Sequence, residues 1–264
     1  MLKLGVIGVL NALPVYYQLI ENPPEGLFEP CFGKVTELNR KLNQGALDLS
    51  VVSSFEYALN ADQYYVLPGL SISAMGPVKS IYLFSDRPLG DLRGQTIRLT
   101  EFSLTSVHLI QYLLQDLAVR YTHDPEEPHA AELLIADEAI RRFYRRSDAY
   151  VYDLGQLWKD RTGLPFVFAL WVVRRQAFER EPQAVHQLHA QLLKSRDAAK
   201  GLLEEIAQNR HQGVFPDAAT CLDYLANLDH HLGPAAIEGF LLFQEKMVGI
   251  GKLPRAVPLS LLPE

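Results

Sequence analysis

The chain has 264 residues, 48% of them hydrophobic, and its formal net charge of −6 at pH 7 is spread without long runs of one sign. This length and apolar content are typical of one or two globular domains, with enough apolar material for two cores. The acidic balance argues against nucleic acid or an acidic membrane surface as the main partner, and no apolar run approaches the length of a membrane span.

The first residues run directly into a strand-like pattern, without a basic start, a long apolar core and a small-residue cleavage site. We therefore expect this chain to act in the cytoplasm. Its two cysteines, Cys31 and Cys221, lie far apart among apolar residues. This predicts buried thiols rather than a disulfide or a metal-binding pair.

The first ninety residues alternate between predicted strands and helices. The strands are predicted at 4–8, 30–33 and 47–52, and the helices begin near Asn11, Thr36 and Ser54. This alternation with short links predicts an open sheet with parallel strands. Ligands of such sheets bind beyond the carboxyl ends of the strands, where Asn11, Ser53 and Ser54 fall.

A second alternating unit follows a boundary near 88–92. Strands are predicted before it at 65–67, 70–74 and 80–84, and after it at 96–99, 118–121, 132–135, 149–152 and 166–173. From Arg174 onward the pattern is helical, and the apolar spacing from Val185 to Ile206 predicts one long helix. Asp217 is predicted to cap a further helix.

Two α/β units with appended helices predict an α/β fold of two lobes, each a mixed sheet flanked by helices. Lobe 1 is predicted at 1–87 plus 175–264 and lobe 2 at 88–174, with a ligand cleft between them. The strands near Tyr82 and Phe168 are predicted to be the two crossings, and the helical tail is predicted to pack on lobe 1.

The segment 100–106 joins a predicted strand to a predicted helix and carries three hydroxyl side chains, those of Ser103, Thr105 and Ser106. Free N–H groups in the first turn of a helix and the helix dipole favour an anion, and hydroxyls add further donors. The pattern by itself leaves open that Ser103 only caps the helix.

Three other side chains are candidates for ligand contact. Asn11 can donate and accept through its amide, and Ser80 opens a strand behind a Gly-Pro turn, although both types are also common in turns. Asp153, at a strand end, either binds a substrate hydroxyl or caps the next helix. His186 and His189 lie three residues apart without a third ligand, so we expect no metal site. The usual nucleotide-binding, serine-hydrolase and thioredoxin motifs are absent.

Six segments together resemble the chorismate dehydratase family of the futalosine route to menaquinone. They lie at 8–14, 47–57, 80–85, 103–106, 152–158 and 162–169. The resemblance extends over residues 3 to 175, and the helical tail is less diagnostic. One departure is Ala136, where the family's pattern has a glycine before Asp137.

The resemblance implies a periplasmic-binding-protein type II fold that works as an enzyme without a metal or organic cofactor. It implies the removal of water from chorismate to give 3-[(1-carboxyvinyl)oxy]benzoate. Loss of the C3 proton is stabilised through the diene by the ring carboxylate, and departure of the C4 hydroxyl produces an aromatic ring. Such an enzyme mainly has to position a dianion and stabilise developing charge.

On this hypothesis Ser103, Thr105 and Ser106 hold a carboxylate and Asn11 acts on the reacting centre. Ser54, Ser80 and Asp153 are further candidates for substrate contact. No histidine base lies in the matching segments, so the substrate's own enolpyruvyl carboxylate is the candidate base. The sequence leaves open whether Lys79 or Arg98 supplies a charge. It also leaves two alternatives, the sibling 1,4-dihydroxy-6-naphthoate synthase and a non-catalytic solute-binding protein of the same fold.

Overall fold

Two five-stranded sheets organise the computed structural model, which describes residues 1–264. The strands are β1 (Leu2–Ile7), β2 (Phe28–Gly33), β3 (Leu49–Ser53), β4 (Tyr64–Ala74), β5 (Ile81–Ser85), β6 (Thr96–Arg98), β7 (Arg120–Thr122), β8 (Ala131–Ile135), β9 (Tyr150–Asp153) and β10 (Phe166–Arg174). The helices are α1 (Leu13–Glu21), α2 (Val35–Asn43), α3 (Ser54–Asn60), α4 (Leu104–Leu113), α5 (Ala136–Arg145), α6 (Leu154–Thr162), α7 (Arg175–Arg180), α8 (Pro182–Ala199), α9 (Leu203–Arg210), α10 (Ala218–Asn227) and α11 (Pro234–Gly249).

The two sheets have the same plan. The first has the strand order β2-β1-β3-β10-β4 and the second has the order β7-β6-β8-β5-β9. In each sheet the first three strands are parallel, and the fourth is antiparallel to both of its neighbours. That antiparallel strand is the one by which the chain enters the lobe from the other lobe. Both sheets are therefore mixed, as predicted.

Sheet membership moves both predicted lobe boundaries. β5 lies within the predicted range 1–87 of lobe 1 but pairs in the second sheet, and β10 lies within the predicted range 88–174 of lobe 2 but pairs in the first. The crossings are therefore the short segments 75–80 and 163–165, next to the strands that were predicted to cross. The predicted boundaries were wrong because an apolar pattern indicates that a strand is buried but does not indicate the sheet in which it pairs.

The helical tail packs on the first lobe, as predicted. Helix α8 contacts α1 and β4, and α11 contacts β10. The predicted long helix is two helices, α8 and α9, separated at 200–202 around Gly201. Conversely, the predicted strands at 65–67 and 70–74 form the single edge strand β4. Gly69 makes this possible because it adopts a φ of +74°, in the left-handed region that favours glycine.

An aromatic cluster joins the lobes at the second crossing. Trp158 of α6, Phe166 of β10 and Phe243 of α11 are each no more than 1% exposed. The Phe166 ring lies 5.2 Å from the Trp158 ring and 5.0 Å from the Phe243 ring, measured between centroids. Burial of each ring stabilises the fold by roughly 2–3 kcal/mol. The segment 163–165 is therefore held by packing on both sides.

The first crossing is held by one carboxylate, that of Asp153. Its Oδ1 accepts hydrogen bonds from the N–H groups of Val78 (2.9 Å), Gly155 (2.9 Å) and Gln156 (3.1 Å), and its Oδ2 accepts one from Lys79 (2.7 Å). Asp153 thus caps α6 and fastens the crossing to it. Lys79 adopts a φ of +59°, a conformation that costs a non-glycine residue about 1 kcal/mol or more. The four hydrogen bonds stabilise the backbone in this strained shape.

We expect Asp153→Ala to lower the free energy of unfolding by about 2–4 kcal/mol, because four partly buried N–H groups lose their acceptor. The measurement is equilibrium denaturant unfolding. Asp160→Ala, which removes an exposed carboxylate from the same helix, is the matched control and is expected to leave stability nearly unchanged. Equal stability of Asp153→Ala and the wild type would mean that water replaces the carboxylate at this crossing.

Candidate functional site

A cavity of about 530 Å³ lies in the cleft between the lobes. Residues from both lobes line it, and among them are five of the seven predicted site residues: Asn11, Ser80, Ser103, Thr105 and Ser106. A cavity of this size, with mixed apolar and polar walls, is typical of a site for a small organic molecule.

The N-terminus of α4 forms one end of this cavity. Ser103 Oγ accepts from the Ser106 N–H at 3.1 Å and donates to Ser106 Oγ at 2.9 Å. This cap leaves the N–H groups of Leu104 and Thr105 without a hydrogen-bond partner in the protein. Ser103 is thus both the helix cap and a residue of the cavity wall. Free N–H groups, hydroxyls and the positive end of the helix together form a suitable site for a carboxylate.

The N-terminus of α3 faces α4 from the first lobe. Ser53 caps it by accepting from the Glu56 N–H at 3.4 Å. The next free donor, the Phe55 N–H, donates to Thr105 Oγ1 across the cleft at 3.0 Å. Thr105 therefore joins the two lobes through its hydroxyl oxygen, while its hydroxyl hydrogen and backbone N–H can still be donated to a ligand.

Asn11 stands opposite, in a short turn that follows β1. Its Oδ1 is buried and has no hydrogen-bond partner, and its backbone oxygen lies 2.7 Å from His230 Nε2. Nearby, the Tyr224 hydroxyl donates to Ser80 Oγ at 3.3 Å. Burial raises the pKa of Tyr224 far above its ordinary value, and the Asn11 side chain slightly opposes this rise. The phenol therefore keeps its proton and acts as a donor.

Tyr224 and His230 were not among the predicted site residues. They come from the C-terminal tail, more than 130 residues after Ser80 in the chain and far outside the segments that carry the resemblance. No local pattern in the tail marks them, because they reach the site only when α10 packs beside the first crossing.

Two predicted ligands lie away from the cavity. Ser54 is fully buried and donates to the Val167 carbonyl oxygen, and its neighbour Ser53 faces the cavity instead. Successive residues at a strand end point to opposite faces, so only one of two adjacent serines can face the cleft. The carboxylate of Asp153 is occupied by four N–H donors, two from the first crossing and two from the first turn of α6. We therefore omit both from the proposed ligands.

The charged groups of the cavity wall differ from the candidates that the sequence suggested. Lys79 pairs with Asp223 at 2.6 Å and Arg98 pairs with Glu132 at 2.9 Å, and neither lines the cavity. Arg40 is the one lysine or arginine in the wall. Two carboxylates, those of Glu56 and Glu101, also line it.

Ala136 stands where the resemblance predicts a glycine. It lines the cavity with a φ of +52°, in the left-handed region that favours glycine. Its N–H donates to the Ser80 carbonyl oxygen at 2.7 Å. An alanine in this conformation costs about 1–2 kcal/mol relative to the ordinary backbone regions, which explains why a glycine suits this position.

His186 and His189 contact other parts of the protein rather than a metal ion. His189 Nε2 lies 2.8 Å from the Pro68 carbonyl oxygen, and His186 packs edge-on against Phe178. No group of three or more histidine, cysteine or acidic side chains is arranged to hold a metal ion. No helix combines the length and apolarity needed to cross a membrane.

The two mixed sheets and the cleft between them define the class of periplasmic-binding-protein-like folds. The structure superposes on the periplasmic aliphatic sulphonate binding protein of Escherichia coli with a TM-score of 0.69 and 14% identity, covering 100% of this chain and 92% of that one. A Candida albicans protein with the generic periplasmic binding protein fold gives a TM-score of 0.68 at 8% identity, covering 100% and 98%. These likenesses confirm the predicted fold.

The sequence narrows this class to one family. The family model described as "Menaquinone biosynthesis" matches residues 2–248. The chain is 33% identical over 268 residues to a chorismate dehydratase of Thermus thermophilus, covering 92% of this chain and 94% of that protein. It is 28% identical over 186 residues to the 1,4-dihydroxy-6-naphtoate synthase of the same organism, covering 67% and 68%. The chain therefore belongs to the menaquinone biosynthesis family, and the resemblance found in the sequence is confirmed.

The geometry around Asn11 predicts a pH-dependent stability. Burial lowers the pKa of His230 below its ordinary value of 6.5, so the folded protein resists protonation that the unfolded chain accepts. The free energy of unfolding is therefore expected to decrease as the pH falls below about 6.5, by up to about 1.4 kcal/mol per pH unit from this residue.

His230→Gln, which keeps an N–H donor for the Asn11 carbonyl, is expected to reduce this slope. His123→Gln, at an exposed position, serves as the control and is expected to keep the wild-type slope. Denaturant unfolding between about pH 5 and about pH 7.5 measures the difference. Identical slopes in all three proteins would show that His230 does not resist protonation.

Proposed function

We propose that this chain is a chorismate dehydratase, a hydro-lyase that converts chorismate to 3-[(1-carboxyvinyl)oxy]benzoate in the futalosine route to menaquinone. We further propose that it acts in the cytoplasm. The geometry that carries the proposal is the N-terminus of α4, whose two unpaired N–H groups share one cavity with the buried, unpaired Asn11 Oδ1. The relative of 33% identity that is named a chorismate dehydratase supports the same activity.

In this proposal the α4 N-terminus binds one substrate carboxylate. The N–H groups of Leu104 and Thr105 donate to it, and the hydroxyls of Thr105 and Ser106 complete the set of donors, while Ser103 orients Ser106. Hydrogen bonds to a charged group contribute about 1.5–3 kcal/mol each. Holding the carboxylate at a fixed point orients the ring against the opposite wall of the cleft.

Asn11 is proposed to act on the reacting centre from that opposite wall. Its amide can position the C4 hydroxyl, and the protonated Tyr224 keeps Ser80 oriented beside it. Loss of the C3 proton leaves charge delocalised into the ring carboxylate, and departure of the hydroxyl with its electron pair gives the aromatic ring. The released proton and hydroxide leave as water, so the reaction is balanced without a cofactor.

The base in this proposal is the substrate's own enolpyruvyl carboxylate. No histidine lines the cavity. Glu56 does line it, but its Oε1 accepts hydrogen bonds from the side-chain amides of Asn43 and Asn60, both at 3.0 Å. These two amide donors tie one oxygen of the Glu56 carboxylate to the first lobe. The substrate carboxylate is the proposed acceptor of the C3 proton because it is part of the same molecule as that proton.

Incubation of the purified protein with chorismate tests the activity. We expect loss of the diene absorbance, a new aromatic absorbance and a product lighter than chorismate by one water in mass spectrometry. Binding of chorismate without turnover would support a solute-binding protein instead. Absence of both would favour the sibling naphthoate synthase, which the second family relative suggests.

Asn11→Ala is expected to lower kcat/KM for chorismate by about 100-fold or more, since a preorganised polar contact to the reacting centre is lost. Asn209→Ala, at an exposed helical position, is the matched control and is expected to keep wild-type kinetics. Circular dichroism and thermal unfolding confirm that both variants fold. A kcat/KM of Asn11→Ala close to that of the wild type would exclude Asn11 from the mechanism.

A further inference from the structure

Helix α2 presents a polar face to the cavity. Leu38 and Leu42 are fully buried in the core of the first lobe. The opposite positions, spaced three and four residues apart, all line the cavity: Thr36, Asn39, Arg40, Asn43 and Gln44. Thr36, near which this helix was predicted to begin, lies inside α2, which begins at Val35, and so belongs to this face. A helix normally turns such a face to bulk water, and here it forms a wall of the cleft.

The charge of this wall is unbalanced. Arg40 is the one cation among the residues that line the cavity, and it has no carboxylate within ion-pair distance. Its one hydrogen bond within the protein is a long one, 3.4 Å from Nη1 to Gln44 Oε1. The guanidinium is exposed at the cleft and free to turn toward a ligand.

The same wall contains an acceptor without a donor. Asn39 Oδ1 is buried and has no hydrogen-bond partner. Burial of a polar atom without a partner is unfavourable, and in a cavity wall a bound water or ligand can complete the contact. Asn39 is the neighbour of Arg40 on the polar face, so both observations point to a polar ligand at α2.

The charges in the cavity wall favour pairing of Arg40 with a ligand that carries two carboxylates. Glu56 and Glu101 place two negative charges in the wall, and the helix N-termini offer only partial positive charges in return. The α4 N-terminus can hold one carboxylate. A second carboxylate in the same cavity would meet net negative charge unless Arg40 pairs with it, and a guanidinium matches a carboxylate with two parallel hydrogen bonds.

We propose that Arg40 is the specificity-determining residue for a dianionic ligand, pairing with the carboxylate that α4 does not hold. This inference rests on the proposed function, because it takes the ligand to be chorismate or its product. Arg40 pairs with this carboxylate in the substrate and in the product alike and takes no proton itself, so it contributes more to binding than to the chemical step. Its loss therefore raises KM more than it lowers kcat.

The test compares a dianion with a monoanion. Calorimetry measures the Kd of the wild type and of Arg40→Gln for the product, 3-[(1-carboxyvinyl)oxy]benzoate, and for plain benzoate. We expect Arg40→Gln to weaken binding of the dianion by at least about tenfold and to leave binding of benzoate within about twofold. Steady-state kinetics with chorismate should show the same rise in KM with kcat within about threefold.

Two further variants separate local pairing from general effects of charge. Arg145→Gln removes an exposed arginine from α5, outside the cavity, and is expected to bind both ligands as the wild type does. Arg40→Lys keeps the charge without the planar fork and is expected to fall between the wild type and Arg40→Gln.

The inference is overturned if Arg40→Gln binds the dianion as tightly as the wild type, or if it weakens both ligands by the same factor. An equal loss in Arg145→Gln would overturn it as well, because long-range attraction would then explain the effect. These outcomes differ from failure of the proposed function, in which the wild type itself does not convert chorismate.

Discussion

The carboxylate of Asp153 is the contact on which the geometry of the cleft depends. It holds the first crossing against α6, and two residues of that crossing, Val78 and Ser80, line the cavity. The Ser80 carbonyl oxygen then accepts from Ala136, and its hydroxyl accepts from Tyr224. One side chain at the junction of β9 and α6 thereby sets where three distant parts of the chain meet.

The two lobes contribute different chemistry to this cavity. The second lobe supplies a helix N-terminus with unpaired N–H groups, which suits an anion. The first lobe supplies the amide of Asn11 and the polar face of α2. Thr105 connects the two halves, because its oxygen satisfies the one N–H at the α3 terminus that would otherwise compete for the ligand. The result is a helix N-terminus that suits an anion at one end and a hydrogen-bonding wall that contains the Arg40 guanidinium at the other.

Much of the fold could be predicted from the sequence because its signals are local. Alternating strand and helix patterns, turn residues and the capping box at Asp217 depend on neighbours in the chain, and the structure contains each of them. The two-lobed plan and the loop 103–106 as a helix N-terminus were predictable for the same reason. Boundaries that depend on pairing were not, as the lobe membership of β5 and β10 shows.

The residues of the site also fall into those that the sequence predicts and those that depend on tertiary packing. The sequence alone determined which residue types stand at strand ends and helix starts, and so it identified Asn11, Ser80 and the hydroxyls of α4. Only the tertiary structure decided that Ser53 rather than Ser54 faces the cleft and that backbone donors occupy the Asp153 carboxylate. It also decided that Arg40 lines the cavity and that Tyr224 donates to Ser80 from behind the wall. The physical reason is that the direction of a side chain and its partners depend on packing between segments far apart in the chain, which no local pattern encodes.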